Sequence, residues 1–312
     1  VSGSRSWSEI AERGSLLGLR LTVACYRLCG RRLSLVLVHA IVLYYFLALP
    51  AARAASRAYL RRIAARPEGA AALGRRPDLR ASFLHFRAFS LSIFDRIVLW
   101  FGREGALAFE PVGTDRCRAL LAPDRGGIVV GSHLGSFDAL RALARQDGLV
   151  VNALMYTRNA PRINTILRQL SPEARVRVVE AGPNPFDTVL RIRECIERGE
   201  LVAILGDRIE PGDRGRTCSV TLLGDPVEIP ESPYLLAALL GCPLFFMVAL
   251  RSGPGRYQVF AEVLAEPVRM PKHEREKQTR ELAAAYASRL EHYCLMAPYQ
   301  WFNYFDFWKD RA

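Results

Sequence analysis

Apolar and polar positions divide the chain into stretches with different rhythms. Leu33 to Pro50, LSLVLVHAIVLYYFLALP, is the most apolar; it has no formal charge and one histidine, His39. Its length is close to the minimum of roughly 17 residues for a membrane-crossing helix. After Pro50, AARAASRAYLRRIAAR has the rhythm of a basic amphipathic helix. RPEGAAALGRRPD, rich in Gly, Pro and Arg, reads as a linker. FLHFRAFSLSIFDRIVLWF then places Phe83, Phe86, Phe89 and Phe94 at roughly helical spacing. That fits a helix on a core, and the wall of an apolar groove would look the same.

From about Gly126 the rhythm changes to short apolar runs alternating with helical stretches. The predicted strands are GIVVG, VVNALMY, VRVVE, LVAIL, CSVTLL, PLFFMVAL and YQVFAEVL. The predicted helices are DALRALARQ, PRINTILRQL, FDTVLRIRECIERG, SPYLLAALLG and EREKQTRELAAAYASRLEHYCLM. This alternation predicts an α/β domain with a mixed, largely parallel sheet flanked by helices. The expected organisation is an N-terminal membrane-associating helical segment over residues 1–65 and a catalytic domain over 66–312.

Composition narrows the classes. Half of the 312 residues are apolar, which excludes a disordered chain. The net charge of +12 favours anionic partners such as lipid headgroups, nucleic acid or phosphorylated substrates. Arginine supplies most of it and is spread along the chain, so charge alone does not choose among them. The seven cysteines form no CxxC pair and sit mostly in apolar surroundings. They read as small buried hydrophobes in a reducing compartment, not as a zinc site. His85, His273 and His292 show no metal spacing, and no metal is expected.

The flanks of the apolar segment bear on its placement. Arg27, Arg31 and Arg32 precede it, and Arg53, Arg57, Arg61 and Arg62 follow it. Positive charge on both sides gives no orientation by the positive-inside rule and suits a hairpin or a shallow helix whose two ends both meet anionic headgroups. A full span and a shallow insertion both remain open. The segment does not read as a signal peptide, since much chain precedes it and no clear cleavage site follows.

GGIVVGSHLGSFDAL, Gly126 to Leu140, carries the candidate chemistry. The strand should end at Gly131 and the helix should begin near Phe137. His133 is then placed in the loop at the carboxyl end of a strand, the edge where open α/β sheets bind ligands. Gly135 allows a tight turn, and Ser136 is a plausible N-cap. Residues five apart lie on different faces of a continuous helix, so His133 meets Asp138 only from outside it. A first-turn carboxylate is kept ionised by the helix dipole and can hold one imidazole nitrogen, leaving the other to take a proton. A bare H-x4-D is common by chance; the strand before it and the Gly-Ser turn are what set this one apart.

SHLGSFD resembles the HxxxxD motif of the lysophospholipid acyltransferase superfamily, and the chain is most similar to its lipid A lauroyl/myristoyl branch. It looks closest to predicted acyltransferases of the aryl-polyene-associated type. Further blocks agree in order: MYTRNAPRINTIL, LVAILGDRIEPGDRG, TLLGDPVEIPESPYLLAALLGCPLFFMVAL and the aromatic PYQWFNYFDFW. Asp138 stands where the lipid A enzymes usually have glutamate, and GDR stands where they tend to have an acid followed by glutamine. These departures bear on the acceptor, not on acyl transfer.

The resemblance implies an O-acyltransferase that moves a fatty acyl chain from an acyl carrier protein or coenzyme A thioester to a hydroxyl of a lipid or glycolipid. It implies no cofactor beyond that co-substrate. His133 is the expected general base, Asp138 its partner, and backbone amides near Gly135 and Ser136 are candidate oxyanion donors. Arg158 and Arg208 are candidates for gripping phosphate, since arginine's forked donors suit it. Asp207 is expected to orient Arg208 or to line the acceptor site. The terminal WFNYFDFW is expected to close the core or an acyl tunnel. The expected location is the bacterial inner membrane, with the active site on the cytoplasmic side. Rival readings are a lysophospholipid or glycerol-phosphate acyltransferase, a silent membrane scaffold of the same fold, and a nucleic-acid binder. For the last, no helix-turn-helix, RNP or zinc pattern is present. Acyl length, acceptor, donor carrier and oligomeric state are not given by the sequence.

Overall fold

The computed structural model describes residues 16–101, 105–155, 177–180, 182, 184–209 and 215–308. They fall into two compact units. One is helical and lies within residues 16–107 and 293–308; the other holds the sheet and lies within 108–155 and 177–292. The sequence pattern divides the chain by role, near residue 65. The compact units divide it by packing, at Leu107, and return the C-terminal segment to the helices.

The helical unit contains α1 (Leu16–Ala48), α2 (Pro50–Ala64), α3 (Pro67–Leu73) and α4 (Leu79–Phe101). Helix α1 is kinked at Gly30, whose φ of 70° departs from helical geometry. Pro50 opens α2 at a position where a missing N–H costs nothing. Helix α2 buries Ala55, Ser56, Tyr59, Leu60 and Ile63, the one-sided pattern its sequence predicts. The stretch read as a linker contains α3, a correction with a local cause. Pro67 starts the helix, three alanines favour it, and Gly74 ends it in the left-handed conformation.

Trp301 is fully buried and lies against Tyr59, Phe307 and Trp308. Beneath it is a polar cluster. His85 bonds Ser56 Oγ through Nδ1 at 3.0 Å and the Trp301 carbonyl through Nε2 at 2.8 Å, while Ser82 Oγ donates to Ser56 Oγ at 2.9 Å. Burial pulls the His85 pKa down to about 4, so the ring is neutral, and its hydrogen bond to the Trp301 carbonyl only partly offsets that. A neutral imidazole has one donor and one acceptor. The Trp301 carbonyl can only accept, so Nε2 carries the proton and Nδ1 accepts from Ser56. The aromatic terminus therefore closes a core, as expected.

The second unit holds a seven-stranded sheet in the order β1-β9-β8-β2-β5-β3-β4. Its strands are β1 (Ala108–Val112), β2 (Gly127–Gly131), β3 (Val151–Met155), β4 (Arg177–Glu180), β5 (Leu201–Leu205), β8 (Leu244–Gly253) and β9 (Arg256–Ala265). All neighbours are parallel except β8 and β9, which form an antiparallel pair. The mixed, largely parallel architecture is the one the alternation predicts. Helices α5 (Thr114–Ala119), α6 (Phe137–Gln146), α7 (Pro185–Glu197), α8 (Ser232–Leu240) and α9 (Arg275–Met296) accompany the strands. Strands β2 and β5 are almost wholly buried, as continuous Val/Ile/Leu runs in a parallel sheet should be. Val129, Leu201, Ala203, Phe245 and Ala261 form part of one apolar cluster.

Two strands escaped the periodicity. Strand β1 is a short edge strand, AFEPV. Strand β7 (Asp225–Pro230) begins and ends near prolines and pairs only with β6 (Thr217–Leu222), in a separate hairpin. Its two-residue turn uses Leu223 and Gly224, both at positive φ (53° and 92°). Leu-Gly is not a dipeptide that announces such a turn. The Leu223 N–H is held by Glu291 Oε2 at 2.6 Å. The predicted helix PRINTILRQL lies outside the described residues.

Candidate active site

Strands β2 and β5 are parallel neighbours in a register that pairs Gly131 with Leu205, and the Gly206 N–H donates to the Gly131 carbonyl at 3.0 Å. His133 stands two positions beyond Gly131, and Asp207 two beyond Leu205. Equal offsets from a registered pair bring the two side chains together at the carboxyl edge of the sheet. Asp207 is fully buried and grips His133 twice: its Oδ2 accepts the His133 backbone N–H at 2.9 Å, and its Oδ1 lies 2.9 Å from Nδ1.

The electrostatics decide the proton's position. Burial works against the charge of Asp207, but His133 and Arg208 outweigh it and hold the carboxyl well below its ordinary range. An ionised carboxylate only accepts, so His133 carries its proton on Nδ1. Burial lowers the His133 pKa below 6.5; the charge of Arg208 adds to this, and Asp207 pulls the other way. The imidazole is therefore neutral at pH 7, with Nε2 unprotonated. Its side chain is 28% exposed, unlike the fully buried His85.

The loop between β2 and α6 forms as its residues predict. Gly135 has φ of 72°, and a Cβ there would stand 2.1 Å from the Ala249 carbonyl oxygen on β8. Only glycine satisfies both conditions. Ser136 is the N-cap of α6: its Oγ accepts the Ala139 N–H at 3.2 Å, and its own N–H donates to Ala249 O at 2.9 Å. Gly206 is similarly confined, since a Cβ there would lie 2.5 Å from Val130 Cγ1. Tyr286 Oη donates to the Gly131 carbonyl at 2.9 Å and braces the end of β2.

The carboxylate on His133 Nδ1 is thus that of Asp207, where the sequence reading assigned Asp138. Asp138 lies buried in the first turn of α6, with Arg141 Nη2 3.8 Å from its Oδ1. Spacing within one segment suggested Asp138; strand order, which spacing does not reveal, supplied Asp207. Arg208 follows Asp207 and acts on both members of the pair. Arg158 lies outside the described residues. Among the described residues no cluster of three or more His, Cys, Asp and Glu is placed to hold a metal ion. At the opposite, amino edge of the sheet a cavity of about 470 Å³ is lined by Arg118, Asp147, Arg198 and Glu200. Those charges pair with one another, Arg118 with Asp147 and Arg198 with Glu200.

Comparison with known proteins gives a family and a distant structural neighbour. Residues 81–310 match the family described as bacterial lipid A biosynthesis acyltransferase. The chain is similar to the crystal structure of the 1-acyl-sn-glycerophosphate (LPA) acyltransferase PlsC from Thermotoga maritima. Identity is 17%, 76% of this chain and 95% of that one are covered, and the TM-score is 0.34. No curated protein matches.

Proposed function

Because this chain belongs to the bacterial lipid A biosynthesis acyltransferase family, we propose that it is a membrane-associated enzyme that transfers a fatty acyl chain from a thioester to a hydroxyl of a lipid or glycolipid. The donor is acyl carrier protein or coenzyme A, with no further cofactor. An acidic carrier protein suits a chain of net charge +12. The reaction takes place at the cytoplasmic face of the inner membrane, where such donors are found, with residues 1–65 serving attachment and 66–312 catalysis.

The observation that carries this reading is the doubly bonded His133–Asp207 pair at the carboxyl edge of adjacent parallel strands. As the acceptor oxygen attacks the thioester carbonyl, His133 Nε2 takes its proton, and Asp207 stabilises the imidazolium. Collapse of the tetrahedral intermediate breaks the C–S bond, and the departing thiolate takes the proton from Nε2. The Ser136 N–H is taken by the Ala249 carbonyl, so the other backbone amides about Gly135 serve the oxyanion. Arg208, with Arg158, grips phosphate of the donor or the acceptor. Asp138, in the first turn of α6, completes the HxxxxD motif.

The test is thioester consumption by purified protein, with acyl carrier protein and coenzyme A carrying medium and long chains and a total lipid extract as acceptor. Turnover that His133→Ala abolishes, with acyl label in one lipid band, supports the reading and names the acceptor class. Equal turnover by both proteins removes His133 as the base. A folded wild-type protein inert with every donor favours the scaffold reading.

A further inference from the structure

Beyond Gly30, helix α1 has two unlike faces. Ser34, Val38 and Val42, at four-residue spacing, are buried. Helix α1, on both sides of Gly30, is fastened to α4 by a series of antiparallel contacts. The Tyr26 ring meets Phe94 edge-on at 5.9 Å, Arg31 Nη2 lies 3.1 Å from Asp95 Oδ1, and Arg87 Nε donates to His39 Nε2 at 2.9 Å. Phe46 meets Phe83 and Phe86, each at 5.4 Å. His39 Nδ1 lies 2.6 Å from the Leu35 carbonyl, so Nδ1 carries the proton and Nε2 is free to accept from Arg87. His39, the one histidine of the apolar stretch, is one of the fastenings.

The opposite face carries Leu33, Val36, Leu43, Tyr44 and Leu47, each between 50% and 67% exposed, and no charged side chain among them. Such a continuous apolar stripe marks a contact with lipid or protein. We propose that α1 lies along a bilayer and not across it, with the Leu33–Leu47 stripe sunk into one anionic leaflet and the α4 side kept out of the hydrocarbon. This rests on the membrane association in the proposed function and settles its geometry.

Three observations carry it. A spanning α1 would take α4 with it, because the fastenings run along both helices. Helix α4 carries Arg80, Arg87, Asp95 and Arg96. The His39–Arg87 contact, midway along the apolar run, would stand near the bilayer centre, where charge is expensive. His85 on α4 also binds the Trp301 carbonyl, so the aromatic terminus would be drawn in as well. Second, the stripe has arginines towards both ends, exposed Arg27 and Arg32 before it and exposed Arg61 after it. Both ends at the headgroups of one leaflet accounts for this symmetry. Third, Arg53 Nη1 donates to the carbonyls of Phe46 and Leu47, and its guanidinium lies over the Phe46 ring. The helix thus ends under a charged group, as it should at a headgroup layer and not within hydrocarbon.

The test uses the full chain. First, flotation is measured with vesicles of phosphatidylethanolamine and phosphatidylglycerol, for wild type and for Val36→Asp/Leu43→Asp. Circular dichroism confirms that the variant retains its helices. Second, Cys25 and Cys29 are replaced by serine, and Leu28→Cys and Ala51→Cys are introduced singly as reporters at the two ends of the stripe. An impermeant maleimide is applied to spheroplasts and to inverted membrane vesicles. The proposal expects flotation that the double aspartate variant loses at least tenfold, and labelling of both reporters in inverted vesicles only. Flotation with one reporter labelled from each side overturns the in-plane geometry and leaves membrane association standing. No flotation removes both. A lipid-free dimer that the aspartates dissociate assigns the stripe to a second copy and also overturns the proposal.

Discussion

His133 and His85 are both histidines whose pKa burial pulls below the ordinary value, yet their surroundings prepare them for different tasks. His85 is enclosed among helices, and both ring nitrogens are occupied, one by Ser56 and one by the Trp301 carbonyl. His133 stands at the edge of a sheet. Its Nδ1 and its backbone N–H go to one carboxylate, and the ring remains partly exposed. A lowered pKa therefore does not by itself identify a catalytic histidine. What distinguishes His133 is a buried carboxylate that sets the tautomer and a second nitrogen left to meet a substrate.

The comparison breaks most readily on His133→Ala. Acyl transfer should fall about 10²- to 10⁴-fold, the usual worth of a general base, with little change in thermal stability. If the residual rate stays within a factor of a few, His133 is not the base. Asp207→Asn should cost nearly as much, because an amide can donate to Nδ1 and favour the wrong tautomer. Asp138→Asn leaves Nδ1 and its carboxylate in place and is expected to cost less. Steady-state rates of the two variants, compared side by side, decide which carboxylate serves the base.

His85→Ala should show the reverse signature. It leaves Ser56 and the Trp301 carbonyl without their partner and opens a cavity, a loss of about 2–4 kcal/mol in unfolding free energy. The fraction that remains folded should still turn over. Gly135→Ala is intermediate. The added methyl group would collide with the Ala249 carbonyl, so the loop must shift, and both stability and rate should fall.

The two histidines also separate by pH. The folded pKa of His85, about 4, lies below its unfolded value near 6.5, so the unfolded chain binds the extra proton in that window. The stability due to a neutral His85 is fully present above pH ~6.5 and is lost as pH falls to about 4, in total ~3 kcal/mol. Denaturant titrations across this range should show the slope, and its absence would mean that His85 is not buried as described. His133 should instead appear as the acid limb of kcat/KM, with a midpoint below pH 6.5, since only the neutral ring accepts a proton.

The sequence carried the local structure of the site but not its assembly. The buried run GIVVG, the glycine that must turn and the serine that caps α6 were legible because each depends on neighbours in the chain. So were the parallel character of the sheet and the strand end at LVAIL. The meeting of His133 with Asp207 was not legible, because it depends on β5 inserting between β2 and β3. A strand-end Asp-Arg pair was the available signal, but by itself it points to Arg208 gripping phosphate and Asp207 orienting it or lining the acceptor site. The fastening of α1 to α4 was hidden for the same reason: hydropathy registers His39 as one polar residue in an apolar run, and the arginine that binds it lies far along the chain. Short proline-containing strands, β1 and β7, were missed because their residues form strands only when a partner is already in place.

The central claim is that Asp207 holds His133 as the Nδ1–H tautomer with a free Nε2. The most direct measurement is an NMR titration of the protein labelled with ¹⁵N in its five histidines, with His133 assigned by substitution. The account predicts an Nδ1–H imidazole with a pKa below 6.5, which falls further in Asp207→Asn as the favourable charge is lost. An Nε2–H tautomer, or a pKa that Asp207→Asn leaves unmoved, would contradict it.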